Sequence, residues 1–189
     1  MSSIEILKDI ARRPLEEVHA LRPALTSELL NAHPHHHNSI AWLLWHSARE
    51  IDEQLASLSG QEPVWTVQGF AERFALDLGA HDMGFGHTGT HARRIRVSDP
   101  DLLLEHLRAV VEAQLSYLDS LGEADLEEII DTQWHPPVTR GARLISLSLD
   151  AVAHIAQAAY VTGMGPAAFE EPQVAEQHGE EHQGGQRQA

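Results

Sequence analysis

Residues 149–160, with the sequence LDAVAHIAQAAY, decide how the rest of the chain is interpreted. The stretch is rich in alanine and free of glycine and proline up to Gly163, which predicts a strong helix over about 142–162. Its apolar stripe consists of Leu144, Leu147, Ala151, Ile155 and Ala158. Asp150 and His154 are four residues apart and therefore share one face. Since burying either group alone is unfavourable, this face predicts a hydrogen-bonded pair or a metal site.

The composition narrows the class of protein. The 189 residues, 42% of them hydrophobic, suffice for one domain and a tail. A net charge of −15 argues against a nucleic-acid partner and against an anionic membrane surface. The chain has no leader-like start and no run of membrane-spanning length, so we expect a cytoplasmic protein. It has no cysteine but 14 histidines, which leaves histidines and carboxylates as its strong metal ligands.

Three further segments carry apolar residues at helical spacing. Residues 4–32 predict a helix with a break near Pro14 and a kink or restart at Pro23. A second long helix is predicted over 39–58, and a third between positions 98 and 122. Together with the helix around 149–160, these segments predict a four-helix bundle.

The remaining segments predict how the chain is divided. Residues 59–97 are interrupted by glycines, which predicts a long irregular crossover between helices. Residues 166–189 are rich in glutamate, glutamine and glycine without an apolar stripe, which predicts a disordered acidic tail. No segment shows convincing strand alternation. We therefore expect an all-α, antiparallel four-helix bundle domain over 1–165, followed by the tail.

Helix bundles build metal sites from side chains on facing helices. Here the candidates are His46 on the second helix and the pair Asp150 and His154 on the fourth. Two ligands four residues apart can share one ion, and a third ligand from a facing helix leaves coordination positions open. Such a set suits a divalent ion, zinc first, with nickel, iron or manganese as alternatives. The other interpretation is two hydrogen-bonded core histidines, with Asp150 paired to His154.

Two stretches resemble a known family. Residues 40–52, IAWLLWHSAREID, and residues 134–163, which contain Asp150-xxx-His154-xx-Gln157, resemble the DinB/YfiT-like superfamily of metalloenzymes. The resemblance implies an antiparallel four-helix bundle with a three-ligand metal site formed by His46, Asp150 and His154. It also implies relatives that are thiol-dependent transferases or isomerases, some of which use mycothiol or bacillithiol.

The match departs from the family pattern at two positions. Family members carry His or Glu where this chain has Asp150, and the shorter aspartate reaches an ion less well or only through water. Ala156 stands where glycine is usual. Gln157, three residues beyond His154, is the candidate cofactor-binding residue, with a helix–helix hydrogen bond as the alternative role.

These observations leave three hypotheses for function. The first is a metal-dependent enzyme, an S-transferase or isomerase that acts on a small molecule with an external low-molecular-weight thiol, since the chain has no cysteine of its own. The second is a degenerate bundle that serves as a binding or dimerisation module. The third is a hydrolase with a metal-activated water, for which Glu50 and Asp150 are candidate bases. The resemblance also implies a homodimer as one assembly, for which the tryptophans of the second helix could supply an apolar interface, and core packing explains these tryptophans equally well.

Overall fold

The computed structural model describes residues 1–35 and 37–169, so the predicted acidic tail lies outside the described residues from position 170 onward. The helices and strands are α1 Ser3–Leu21, α2 Ser27–Leu30, α3 Ile40–Ser59, α4 Val64–Val67, α5 Phe70–Phe74, α6 Gly89–Ala92, α7 Pro100–Asp119, β1 Ile129–Asp131, β2 Val138–Thr139 and α8 Arg140–Thr162. The prediction of an all-α bundle is confirmed, because α1, α3, α7 and α8 are long and pack side by side around one apolar core.

Local signals set the ends of the central helix α3. The Ser39 hydroxyl accepts a hydrogen bond from the backbone N–H of Trp42 at 3.2 Å, which caps the first turn. Gly60 ends the helix with a φ of +70°, a conformation that glycine adopts without strain. Between these ends almost every side chain of the first three turns is buried, so α3 lies at the centre of the bundle.

Contacts between the long helices give their directions. On α3 and α8, His46 lies beside His154 and Gln54 beside Arg143, so these two helices are antiparallel. On α1 and α7, Lys8 pairs with Asp119 at 2.5 Å and Arg22 pairs with Asp101 at 2.6 Å, which makes the second antiparallel pair.

The helices α3 and α7 run in the same direction. Asp52 approaches His106 at 3.8 Å, and further along both helices the Leu58 carbonyl accepts a hydrogen bond from the Tyr117 hydroxyl at 3.1 Å. The irregular segment between α3 and α7 carries the chain back to the end at which α3 began. The bundle is therefore up-down-down-up, with the long crossover that the sequence predicted.

One prediction about local structure is wrong, and one pair of strands was not predicted. Pro14 does not break α1, which continues through it; the proline side chain is buried in the bundle, and tertiary packing offsets the hydrogen bond that proline cannot donate. The restart near Pro23 is confirmed, since a 3-10 turn over Arg22–Ala24 precedes α2. The antiparallel pair β1 and β2 was not predicted, because strands of three and two residues are too short to show alternation.

Within the described residues, α8 is the one helix long and apolar enough to cross a membrane by length and composition. Its stripe of Leu147, Ala151 and Ile155 lies in the core of the bundle, against α1 and α3. Burial of this stripe accounts for part of the apolar content of α8, of whose most apolar window 39% is buried.

Candidate metal centre

Two facing helices bring four side chains together. From α3 come His46 and Glu50, and from α8 come Asp150 and His154, with one ligand atom of each lying within 4.8 Å of all the others. His46 Nε2 lies 3.5 Å from a Glu50 oxygen, and His154 Nε2 lies 3.2 Å from an Asp150 oxygen. Both pairs have the four-residue spacing that stacks side chains along a helix. We call these four residues the tetrad.

The outer nitrogens of both histidines are already engaged. His46 Nδ1 donates to the backbone carbonyl of Met83, and His154 Nδ1 donates to the Gln157 side-chain oxygen at 3.2 Å. In its neutral form, each ring with this Nδ1–H bond presents the lone pair of Nε2 to the inside of the tetrad. Histidine ligands of metals commonly donate their other ring N–H in this way.

Electron-pair donors therefore face one another on the inside of the tetrad. Two imidazole nitrogens and two carboxylates face one another, and such a set is unfavourable unless a proton or a cation lies between them. Two nitrogen and two carboxylate donors are also a chemically suitable set for a divalent transition metal. The residues present therefore fit a metal ion.

Burial shifts the pKa values of two members of the tetrad, His46 and Glu50. The side chain of His46 is 8% exposed, and burial lowers its pKa below the ordinary value. Burial, together with the hydrogen bond and charge of Asp150, raises the pKa of Glu50 to about 8. Gln54 and Arg143 oppose this rise but are outweighed. Both shifts favour the neutral form of the buried group when no ion is present.

Comparisons with known proteins place this architecture in a family. The sequence pattern of the DinB superfamily matches residues 11–158, which is most of the chain. The chain belongs to the DinB superfamily. A solved structure of a conserved protein from Enterococcus faecalis has 36% sequence identity and a TM-score of 0.78, and the match covers 86% of this chain and 96% of that one. No curated protein matches.

The DinB superfamily is associated with metals, and the tetrad of this member is a group that can hold one. The structure brings together the three residues predicted as ligands, His46, Asp150 and His154. It also adds Glu50, which sequence analysis weighed only as a base. The signal that could have found it is its spacing, since Glu50 follows His46 by the same four residues that separate Asp150 from His154.

Gln157 lies against the tetrad without belonging to it. Its side-chain oxygen accepts the His154 Nδ1 hydrogen bond, so its contact is within α8 rather than between helices. It also lines a cavity of about 590 Å³ with Leu43, Ala153, Ala156, Tyr160 and others, among which no side chain is an acid, a lysine or an arginine. Gln157 thus connects the candidate metal centre of this DinB-superfamily chain to a mostly apolar cavity.

A second cavity, of about 480 Å³, lies on the other side of the tetrad and is polar. Its lining includes Arg140 and Arg143, but Arg140 pairs with Glu128, and Arg143 pairs with Asp131 at 3.1 Å. Because the charges in this cavity neutralise one another, it offers no unbalanced charge to a ligand.

Proposed function

We propose that this chain is a metal-dependent enzyme that acts on a small molecule, with a divalent ion, zinc first, held by the tetrad. The observation that carries the proposal is the convergence of four electron-pair donors within 4.8 Å, with both histidines anchored through their outer nitrogens. His46 and His154 would bind through Nε2 and Asp150 through a carboxylate oxygen. When bound, the ion supplies a Lewis acid that favours the thiolate form of a thiol or polarises an electrophile.

The reaction class that we propose is thiol-linked transfer or isomerisation. The chain has no cysteine, so a thiol nucleophile comes from an external low-molecular-weight thiol such as those used by thiol-dependent relatives. A cytoplasmic location suits this chemistry, because small thiols are kept reduced there. With the ion bound by the other three residues, Glu50 would be the ionised carboxylate that accepts the thiol proton, since it lies beside His46 Nε2 at 3.5 Å.

The apolar cavity next to Gln157 is where we place the small-molecule substrate. Its volume of about 590 Å³ suits an organic molecule of moderate size. Ala153 precedes His154 directly and Leu43 precedes His46 by one helical turn, so the cavity wall continues into the tetrad. A substrate seated there would lie beside both histidines, and Gln157 would offer it an amide N–H.

Elemental analysis of tag-free protein tests the metal centre. We expect about one divalent metal ion per chain in the parent protein and substoichiometric metal in His46→Ala, because removing one ligand typically weakens metal binding strongly. The matched control is His35→Ala, which removes an exposed histidine from the histidine-rich turn at 33–37 and would retain the metal. Equal metal content in all three proteins would contradict the proposal, since the metal would then be bound elsewhere.

The competing functions predict different results. A non-catalytic binding or dimerisation module would contain no stoichiometric metal, and chelators would leave its thermal unfolding unchanged. A hydrolase would cleave simple esters or amides without added thiol. A thiol-linked enzyme would consume an electrophile only when a thiol is supplied.

A further inference from the structure

The loop of residues 80–87 lies over the outer side of the tetrad. Its Met83 carbonyl accepts the Nδ1 hydrogen bond of His46. The next residue, Gly84, has a φ of +92°, and a Cβ there would lie 3.0 to 3.1 Å from ring atoms of Trp45, His46 and Trp42. The loop backbone is therefore in close contact with the rings and sets the orientation of the His46 imidazole.

One buried arginine holds this loop against α3. Arg49 is fully buried, and its guanidinium donates to the Ala80 carbonyl at 2.8 Å and to the Asp82 carbonyl at 3.1 Å. Asp82 directly precedes Met83 and Ala80 lies three residues before it, so the arginine fixes the backbone that presents the Met83 oxygen. Arg49 reaches the two carbonyls with two different nitrogens of a rigid fork, Nε and Nη2, whereas a lysine has a single nitrogen for all its donors.

The other contacts of Arg49 fix its own position. It donates to Asp52 at 3.3 Å and to Glu53 at 2.6 Å, and it lies 4.7 Å from the centre of the Trp65 ring. Asp52 in turn accepts hydrogen bonds from the backbone N–H groups of Val64 and Trp65 at 2.7 and 2.8 Å. Burying this charge is unfavourable without such partners, so the network is complete only with arginine at this position.

We propose that Arg49 is a positioning residue for His46. By holding the 80–87 loop, Arg49 keeps the Met83 carbonyl within hydrogen-bond distance of Nδ1. This contact holds the imidazole in the tautomer that carries its proton on Nδ1 and turns the Nε2 lone pair toward the tetrad. The effect of Arg49 on metal binding rests on the proposed function. Its effect on the tautomer of His46 does not depend on that function. When the clamp is lost, His46 loses its fixed acceptor, and its Nε2 is no longer preset toward the other three donors. Loss of such outer contacts typically weakens metal binding by about 10- to 100-fold.

The first test uses metal-free protein. Nitrogen-15 NMR of the ring nitrogens, assigned with His46→Ala, reports which nitrogen of His46 carries the proton. We expect Nδ1 to be protonated in the parent and a mixture of tautomers in Arg49→Lys. The matched control is Arg140→Lys, which alters another largely buried arginine that contacts the Leu58 carbonyl, away from the tetrad.

The second test uses zinc and cobalt(II) as probes. We expect Arg49→Lys to bind zinc about 10- to 100-fold more weakly than the parent, measured against a competing chelator, and to show an altered cobalt(II) visible spectrum. Arg140→Lys would match the parent in both measurements. A merely structural role would lower thermal stability without changing the spectrum of the folded protein.

A third variant keeps the inference testable if Arg49→Lys does not fold. Gly84→Ala pushes the loop away from the rings without touching Arg49, while Gly86→Ala carries the same positive-φ strain, at +73°, with no atom near its Cβ. We expect only Gly84→Ala to change the His46 tautomer. An unchanged tautomer in folded Arg49→Lys, or in Gly84→Ala, would overturn the positioning role. If the variants changed the His46 tautomer as expected but the parent bound no metal, only the proposed function would be overturned.

Discussion

Glu50 and Asp150 are acids on facing helices, and each has a carboxylate oxygen within 4.8 Å of the other. Two carboxylates this close do not both ionise unless a proton or a cation lies between them. In the metal-free protein Glu50 keeps the proton, since burial and Asp150 raise its pKa to about 8. A divalent ion would displace this proton, which makes metal binding tighter as pH rises.

The stability of the metal-free protein should therefore depend on Glu50. The folded state holds this proton up to a pKa of about 8, whereas the unfolded chain releases it near the ordinary glutamate pKa of 4.5. The folded state binds more protons in this window, so the free energy of unfolding falls as pH rises from 4.5 toward 8. In Glu50→Gln this fall is absent, and we expect a Tm about 2–5 °C above that of the parent at a pH above 8.

Thermal unfolding in the presence of a chelator measures this difference across the same pH window. The matched control is Glu112→Gln, which neutralises an exposed glutamate on α7. If the Tm of the parent and the Tm of Glu50→Gln changed with pH in parallel, Glu50 would not hold a proton in the folded protein.

At the scale of the element, α8 has two apolar faces with different surroundings. One face carries Leu147, Ala151 and Ile155 into the bundle core. The other is exposed, and its carboxyl-terminal half, with Ala156 and Gln157, forms one wall of the apolar cavity. The small alanines on this wall leave the space that a longer side chain would fill.

Filling the cavity should block a neutral ligand. N-phenylnaphthylamine is an uncharged fluorescent probe, and we expect one probe to bind per parent chain, because the cavity lining is mostly apolar. Its sulfonated, anionic relative should bind more weakly to a lining without lysine or arginine. In Ala156→Leu we expect at least about tenfold weaker binding of the neutral probe, measured by fluorescence titration.

The control is Ala159→Leu, which adds the same side chain to an exposed position of α8 outside the cavity lining. Equal affinity of the probe for both variants would place the bound probe elsewhere on the protein. Binding that persists in His46→Ala would separate the cavity from the metal centre, since that variant removes only a candidate ligand.

At the scale of the whole molecule, we propose the exposed apolar side chains on α8 as the contact of a homodimer. Leu149 is 54% exposed and Ile145 is 39% exposed on the amino-terminal half of this helix, beyond the cavity. Like faces of two copies can pack by two-fold symmetry, which makes such a face the expected contact of a homodimer. The acidic net charge disfavours nucleic acid but does not prevent contact through an uncharged stripe.

Leu149→Glu should weaken a dimer formed through this proposed contact. Introducing a charge in each copy at an apolar interface should raise the dimer dissociation constant by at least about tenfold, as measured by sedimentation equilibrium. Val67→Glu, at a 62% exposed apolar position on α4, is the matched control and should leave the dissociation constant unchanged. A parent protein that stays monomeric at all concentrations, or equal effects of both variants, would contradict this interface.

The sequence by itself determined the four long helices, their approximate ends and the long crossover. These follow from apolar spacing and capping residues, which act over a few neighbouring positions. The sequence also predicted His46, Asp150 and His154 as ligands of one metal ion. This was possible because the i, i+4 pair on α8 and the resemblance to the DinB superfamily both rest on local motifs.

Only the tertiary structure decided how these elements serve a site. The up-down-down-up order, the continuous helix through Pro14 and the approach of Glu50 to Asp150 depend on packing between segments far apart in the chain. The Met83 carbonyl on His46 and the Arg49 clamp likewise join residues separated by about thirty or more positions. Local patterns cannot encode such contacts, because their free energy comes from burial and hydrogen bonds that exist only once the bundle has formed.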